Sequence, residues 1–398
     1  MTRYKVSVII GTRPEVIKLS PVVLELLKMP LIDVSVCVTG QHKDMVYGFL
    51  DYFSIAANVE LKIERNSSGL SEYTAKAIES ISAYIYSFNP DLIILQGDTS
   101  TVLSASISSM YNKKPIAHVE AGLRTGDKYS PFPEEMNRVV TSHLSDLHFA
   151  PTDVAKKNLI DEGISSKNIF VTGNTVIDAL FIALEQNKKA LPEIDGLPDF
   201  LQPRIFYQEL NKVQIVLVTG HRRENFGAGL MSICEALNYL ASEYPMTHFV
   251  YPVHLNPEVL ASVNEYFSLN SSFESSSKRS NIHLINPLDY SQFVELMNMS
   301  YFIMTDSGGV QEEAPSLNKP VLVMRDNTER PEAVESGCAM LVGTDKNVII
   351  NNAVRLFEER HFYDQMSFTE NPYGNGCAST EIGKKCLQFL ETRYINKS

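Results

Sequence analysis

Ala117-His118-Val119-Glu120-Ala121-Gly122-Leu123-Arg124-Thr125-Gly126-Asp127 runs through Lys128-Tyr129-Ser130-Pro131-Phe132-Pro133 into Glu134-Glu135-Met136-Asn137-Arg138. The apolar residues before Glu120, from Pro115 to Val119, read as a buried strand that delivers this acid to the carboxyl edge of a sheet. Gly122, Gly126, Pro131 and Pro133 then forbid regular structure until Glu134 can start a helix. A loop of this length in a compact domain is usually functional or disordered, and the spacing of the prolines argues against disorder. Carboxylates brought into one cleft push each other's pKa values apart, giving an acid and a base near neutral pH. The ordinary alternative is a solvated loop with weak surface ion pairs.

Working outward, the same strand–glycine–helix grammar recurs. Val6-Ser7-Val8-Ile9-Ile10 meets Gly11-Thr12-Arg13-Pro14-Glu15, after which Val16, Leu19, Val22, Val23, Leu26 and Leu27 recur at helical spacing. Such a junction offers an anion site, because amides at a helix start point outward along a favourable dipole. It is not GxGxxG, so a dinucleotide fingerprint is absent. Strand Val34–Val38 and a helix from about Leu70 to Phe88 follow. Asp91-Leu92-Ile93-Ile94-Leu95-Gln96-Gly97-Asp98-Thr99 then places Asp98 at the top of a strand, where a capping role is the plain alternative.

Gly173-Asn174-Thr175 opens another helix, and periodicity is lost over residues 185–212, where Pro192, Gly196, Pro198 and Pro203 gather. This stretch reads as a linker between a first domain, 1–184, and a second, 213–370. In the second, Gln214–Val218 runs into Gly220-His221-Arg222-Arg223-Glu224-Asn225, and Tyr301–Met304 delivers Thr305-Asp306-Ser307-Gly308-Gly309. Residues 268–280 are serine-rich and aperiodic, as a surface loop would be. One such turn in each half predicts an α/β protein of two Rossmann-like domains facing across a cleft.

With 398 residues, 44% hydrophobic and 21% charged, the chain has the composition of a soluble two-domain protein. A net charge of −12 lacks the basic face that nucleic acid requires. Five scattered cysteines without a CxxC pair argue against a disulfide framework or structural zinc, and fit reduced thiols in the cytoplasm. No signal peptide, membrane span, metal motif or cofactor motif is visible, so neither NAD nor a metal is expected.

Gly-Thr-Arg-Pro-Glu, Gly-Asp-Thr, His-Val-Glu-Ala-Gly-Leu-Arg, Gly-His-Arg-Arg-Glu-Asn, Asp-Ser-Gly-Gly and Arg325-Asp326-Asn327-Thr328-Glu329-Arg330-Pro331-Glu332 follow one another along the chain. Together they closely resemble the non-hydrolysing UDP-N-acetylglucosamine 2-epimerases, from about Val6 to Asn371-Pro372-Tyr373-Gly374. The resemblance implies a GT-B-type fold, a homodimer, and a last segment, 371–398, packed back on the first domain. It also implies reversible C2 epimerisation of UDP-N-acetylglucosamine to UDP-N-acetylmannosamine for surface polysaccharide synthesis. UDP would be eliminated to leave 2-acetamidoglucal and then added back.

By the same resemblance Asp98, Glu120 and Glu134 form the acid/base set, and His221 lies by the leaving diphosphate. Arg13 and Ser307-Gly308-Gly309 would bind phosphates, Glu313 the ribose hydroxyls, and Phe293 the uracil through its backbone. Lys18 and Arg138 would be supporting charges. A regulatory site for a second UDP-N-acetylglucosamine would use Gln41, His42, Arg222 and His254. Asp44 and Ser67 depart from the family's pattern there, with Arg65 close by. On residue type alone, His118, His143 and His254 read as packed or capping histidines, and Glu312 and Arg330 as helix-end charges. A hydrolysing relative that releases UDP and N-acetylmannosamine, or a GT-B glycosyltransferase, is the alternative.

Overall fold

A computed structural model describes residues 3–40, 43–63, 69–209, 213–269 and 281–395, with backbone alone at 43, 44, 268 and 269. Gln41, His42, Arg65, Ser67, the side chain of Asp44 and most of the serine-rich stretch therefore lie outside the described residues. The chain divides into two compact units. Residues up to Ala179 join those from Tyr373 onward in the first, and Leu180–Pro372 form the second.

The first unit is built on a parallel sheet of β1 (Tyr4–Ile10), β2 (Ile32–Val38), β3 (Val59–Glu60), β4 (Leu92–Gln96), β5 (Ile116–Val119), β6 (Leu147–Ala150) and β7 (Ile169–Val171). Its order is β3-β2-β1-β4-β5-β6-β7. β4 reads as an apolar run, Leu92 to Leu95, closed by Gln96, because helices cover both faces, and every residue of it is buried. Order reverses between β1 and β4, so Gly11 and Asp98 follow the two strands that flank the switch point, where ligands bind in open α/β sheets. The terminal helix Ala378–Ile395 is sewn to this unit by Asp178. That carboxylate accepts from Ala378 N (3.2 Å), Ser379 N (2.8 Å) and Ser379 Oγ (2.6 Å).

The second unit repeats the plan with β8 (Gln214–Thr219), β9 (Thr247–Pro252), β10 (Ile282–Ile285), β11 (Phe302–Thr305), β12 (Val321–Val323) and β13 (Ala339–Leu341), in the order β10-β9-β8-β11-β12-β13. Its switch lies between β8 and β11, which end at Gly220-His221 and Asp306-Ser307. The proline-rich stretch after the helix Thr175–Lys189 is packed rather than extended. It holds a 3-10 turn, Asp199–Leu201, and a short helix, Pro203–Phe206, and it buries Ile194, Leu201 and Phe206. Asn187 Nδ2 donates to Glu295 (2.8 Å), and Gln292 Nε2 donates to the Glu193 carbonyl (2.8 Å). These bonds fix the end of the helix Thr175–Lys189 and the start of the stretch beyond it to the helix Tyr290–Met299.

All five cysteines are free, with only Cys377 exposed. Among the described residues, no helix is long and apolar enough to cross a membrane.

Candidate active site

Glu120 is the first residue beyond β5, and its φ of +62° turns the chain sharply out of the sheet. A non-glycine residue in that region carries strain that the surroundings must hold in place. They do so through the side chain, which is almost fully buried. Oε1 accepts from Lys18 Nζ and from Asn174 Nδ2 (3.0 Å), and Oε2 accepts from Gln96 Nε2. Lys18, read as a supporting charge, is thus the counter-ion of Glu120, brought there by the helix Arg13–Leu27.

Asp98 follows β4, the neighbour of β5, so two carboxylates leave the sheet at adjacent strand ends. The plain alternative for Asp98 does not hold, because Thr99 is the cap of the helix Ser100–Tyr111 and accepts from Val102 N. The Asp98 carboxylate instead meets Arg138, whose Nε and Nη2 lie 2.8 and 2.7 Å from Oδ2. Burial raises the Asp98 pKa; Arg138 opposes the rise and the nearby Glu120 adds to it.

Glu134 opens the helix Glu134–Leu144 and is half-buried. Its neighbour Glu135, unassigned from sequence, ties the loop down. It accepts from the amides of Thr125 and Gly126 (3.0 Å each) and from Arg138 Nη1 (3.1 Å). Arg13 is exposed, with its guanidinium over the Phe49 ring at 5.5 Å. The amides expected to be free at the first glycine turn are not. Gly11 N and Thr12 N donate to the buried carboxylate of Glu15, at 2.5 and 3.0 Å, because that residue reaches back over its own helix start.

His118 lies under this edge, fully buried, with Nε2 donating to the Gly97 carbonyl at 2.7 Å. It is a packed histidine. Burial lowers its pKa to about 4. A base whose folded pKa is depressed contributes stability that is present above its unfolded value near 6.5 and is lost as pH falls through the folded value. Acidification from pH 6.5 to 4 should therefore remove about 3 kcal/mol from the first unit through this residue alone. Denaturant unfolding across that range should show a slope that His118→Gln reduces; an unchanged slope would assign the acid sensitivity elsewhere.

In the second unit, His221 is the first residue after Gly220 at the end of β8. Its Nδ1 lies 3.2 Å from Oδ1 of Asp306 at the neighbouring strand end, and its ring stacks on His254 at 5.4 Å. Asp306 is fully buried, and its Oδ2 accepts from the amides of His221 and Arg222 (2.8 Å each) and from Asn225 Nδ2 (3.3 Å). Burial alone would raise its pKa, but the bonds from His221 and Arg222 outweigh that and hold it low. Asp306 therefore stays ionised beside the imidazole. No role for it was assigned from sequence, although an acid ending a strand before Ser-Gly-Gly repeats the placement of Asp98.

Ser307 immediately precedes the helix Gly308–Glu313, and its side chain makes no capping bond to it. A Cβ built on Gly308 would lie 3.9 Å from Arg222 Nη2 and 4.0 Å from Arg330 Nη2, so two guanidinium groups flank this turn. Arg330 also pairs with the buried Glu312, as charges meeting at a helix rather than as loose ends. Glu313 is buried on the same helix, its carboxylate 3.9 Å from the corresponding point on Gly309. Phe293 is half-buried in the helix Tyr290–Met299, and its amide donates to the Asp289 carbonyl at 2.9 Å. His254 is exposed, and its Nδ1 accepts from Asn256 N at 3.1 Å. His143 is exposed in the last turn of its helix. Among the described residues, no group of three or more His, Cys, Asp or Glu is arranged to hold a metal ion.

Two Rossmann-like units, one with paired acids at its switch point and one with a histidine and arginines at its own, define a GT-B-class α/β enzyme. The family model for UDP-N-acetylglucosamine 2-epimerase matches residues 25–386. The chain is 48% identical over 383 residues to the UDP-N-acetylglucosamine 2-epimerase of Yersinia pestis, covering 96% of this chain and 97% of that one. Among solved structures, UDP-GlcNAc 2-epimerase from Neisseria meningitidis, bound to UDP-GlcNAc, is 44% identical with a TM-score of 0.83, covering 96% and 100% of the two chains. The Methanocaldococcus jannaschii enzyme, in complex with UDP-GlcNAc and UDP, is 34% identical with a TM-score of 0.73, covering 97% and 99%. The chain belongs to the UDP-N-acetylglucosamine 2-epimerase family.

Proposed function

We propose that the chain interconverts UDP-N-acetylglucosamine and UDP-N-acetylmannosamine without net hydrolysis. The observation that carries this reading is the pair of carboxylates at adjacent strand ends, Asp98 and Glu120, each with its own cation. A C2 proton beside an acetamido group is not acidic enough for direct removal. Elimination solves the problem: a base takes the C2 proton as the C1–O bond breaks, giving 2-acetamidoglucal and UDP. UDP then adds back at C1 while a proton is delivered to C2 from the other face, so atoms and charge balance over the cycle.

Asp98, Glu120 and Glu134 serve as the acid/base set in this reading, with Lys18 and Arg138 setting which carboxyl holds a proton. Arg13, His221 and the Ser307–Gly309 turn receive the diphosphate, since developing negative charge on a leaving group needs fixed cations and donors. Glu313 takes the ribose and Phe293 the base. A homodimer working in the cytoplasm on a surface-polysaccharide precursor belongs to the same reading, as does a second UDP-N-acetylglucosamine acting as activator through Arg222 and His254. The stacking of His254 on His221 gives such a ligand a direct handle on the site.

Proton NMR of the enzyme with UDP-N-acetylglucosamine in deuterated water tests the reading. The expected result is UDP-N-acetylmannosamine as a minority species, with deuterium at C2 and little free sugar. Stoichiometric UDP and N-acetylmannosamine would transfer the chain to the hydrolysing class.

A further inference from the structure

We propose that Glu15 is a positioning residue of this reaction, bracing the turn that carries Arg13 against the turn that carries Asp98. The inference rests on the epimerase reading for its kinetic consequences and on geometry for the brace itself. Glu15 is 1% exposed. Its Oε2 accepts from Gly11 N and Thr12 N, and its Oε1 accepts from Thr99 Oγ1 at 2.5 Å. The first two bonds are those of a helix cap. The third is not, because Thr99 belongs to another strand end, 84 residues along the chain and directly after Asp98.

One carboxylate thus joins the two turns that flank the switch point, within one residue of Arg13 on one side and of Asp98 on the other. Little slack remains around it. A Cβ on Gly11 would lie 2.2 Å from Thr101 Oγ1 and 2.8 Å from Thr39 Oγ1. The same bonds occupy two amides at the helix start, so an arriving phosphate meets the Arg13 side chain rather than those amides. Burial of this carboxylate is costly and raises its pKa to about 7, with Asp98 adding to the rise. Protonation does not break the brace: a proton on Oε1 can point at Thr99 Oγ1 while Oε2 keeps both amides. Glu15→Gln reproduces that form, with its carbonyl toward the amides and its NH2 toward Thr99.

Steady-state kinetics and amide hydrogen exchange on Glu15→Ala, Glu15→Gln, Thr99→Val and the Glu15→Ala/Thr99→Val double variant test the brace. Glu15→Ala should lower kcat by about 30-fold with KM changed by less than about threefold, because slight misplacement of reacting groups costs rate before binding. Glu15→Gln should bring kcat back to within about threefold of wild type, and the double variant should be no worse than Glu15→Ala, since both remove one link. Exchange should quicken in both turns, at residues 11–13 and at 98–99. The proposal is overturned if Glu15→Ala keeps wild-type kcat, if Gln rescues nothing, or if exchange at 98–99 is unchanged whatever the activity. Should Glu15→Ala fail to fold, Thr99→Val decides, and wild-type kcat in that variant overturns the brace. A wild-type protein that exchanges no deuterium into C2 counts against the epimerase reading, while the exchange measurement still judges the brace.

Discussion

Glu120→Gln should lower turnover by about 10²-fold or more, the usual scale for losing a general acid or base. Lys18 and Asn174 donate to one oxygen of this carboxylate and Gln96 donates to the other. An amide offers one oxygen where the acid offers two, so in either orientation at least one donor faces an NH2 group. That mismatch costs about 1–3 kcal/mol, as a buried unsatisfied donor does. The variant is therefore expected to melt earlier yet remain folded, since the strand beneath it, Ile116–Val119, is buried throughout. Turnover followed by NMR beside a thermal melt separates the two effects. Asp98→Asn is the comparison, because its partner Arg138 also holds Glu135 and keeps one anion when Asp98 is neutralised. Near-normal turnover in Glu120→Gln would remove Glu120 from the acid/base set.

Gly122→Ala carries the largest expected loss of stability. Gly122 has φ +93°, and a Cβ there would lie 2.2 Å from the Ala155 carbonyl oxygen and 2.8 Å from its carbon. Those atoms are backbone within the helix Asp153–Asp161 and cannot rotate aside. Left-handed strain of about 1–2 kcal/mol adds to overpacking of about 1–3 kcal/mol, so a loss of about 3 kcal/mol or more is expected. Gly126→Ala separates the two contributions, because at φ +78° a Cβ there meets nothing within 4 Å. It should lose only the strain. Equal losses in the two variants would mean that the contact with Ala155 relaxes and that the collision carries no weight.

What could be read in advance follows from which forces are local. The strand–turn–helix alternation was legible because β4 and its neighbours are largely buried and so appear as short, mostly apolar runs that end abruptly at a turn. The positions of Asp98, Glu120, His221 and the Ser307–Gly309 turn were legible because each lies within two residues of the end of such a run, whereas the roles given to them came from the family resemblance. Pairings across the chain were not. Nothing in the spacing of Lys18 says that it meets Glu120, and Arg138 reaches Asp98 only because the helix Glu134–Leu144 packs beside the β4 edge. Glu135 and Asp306 escaped notice for the same reason, since their value lies in donors supplied by distant segments. Glu15 was partly legible, as the third residue after a threonine at a helix start. Its bond to Thr99 depends on the order of the strands, which periodicity does not report.

The first unit is assembled from both ends of the chain, and the second occupies one unbroken run, Leu180–Pro372. At the seam, Asn174 N donates to the Tyr373 carbonyl at 2.7 Å, and Gly173 passes so close to Tyr373 that a Cβ there would lie 2.9 Å from that oxygen. The outgoing and returning segments are therefore neighbours, and the second unit is an insert with paired entry and exit. In genetic terms it is a cassette: a single exchange between these two points replaces it whole and leaves the acid-bearing sheet undivided. A break anywhere inside the cassette leaves the two ends of the first unit held by the Asp178 bonds and the packing around them rather than by the chain.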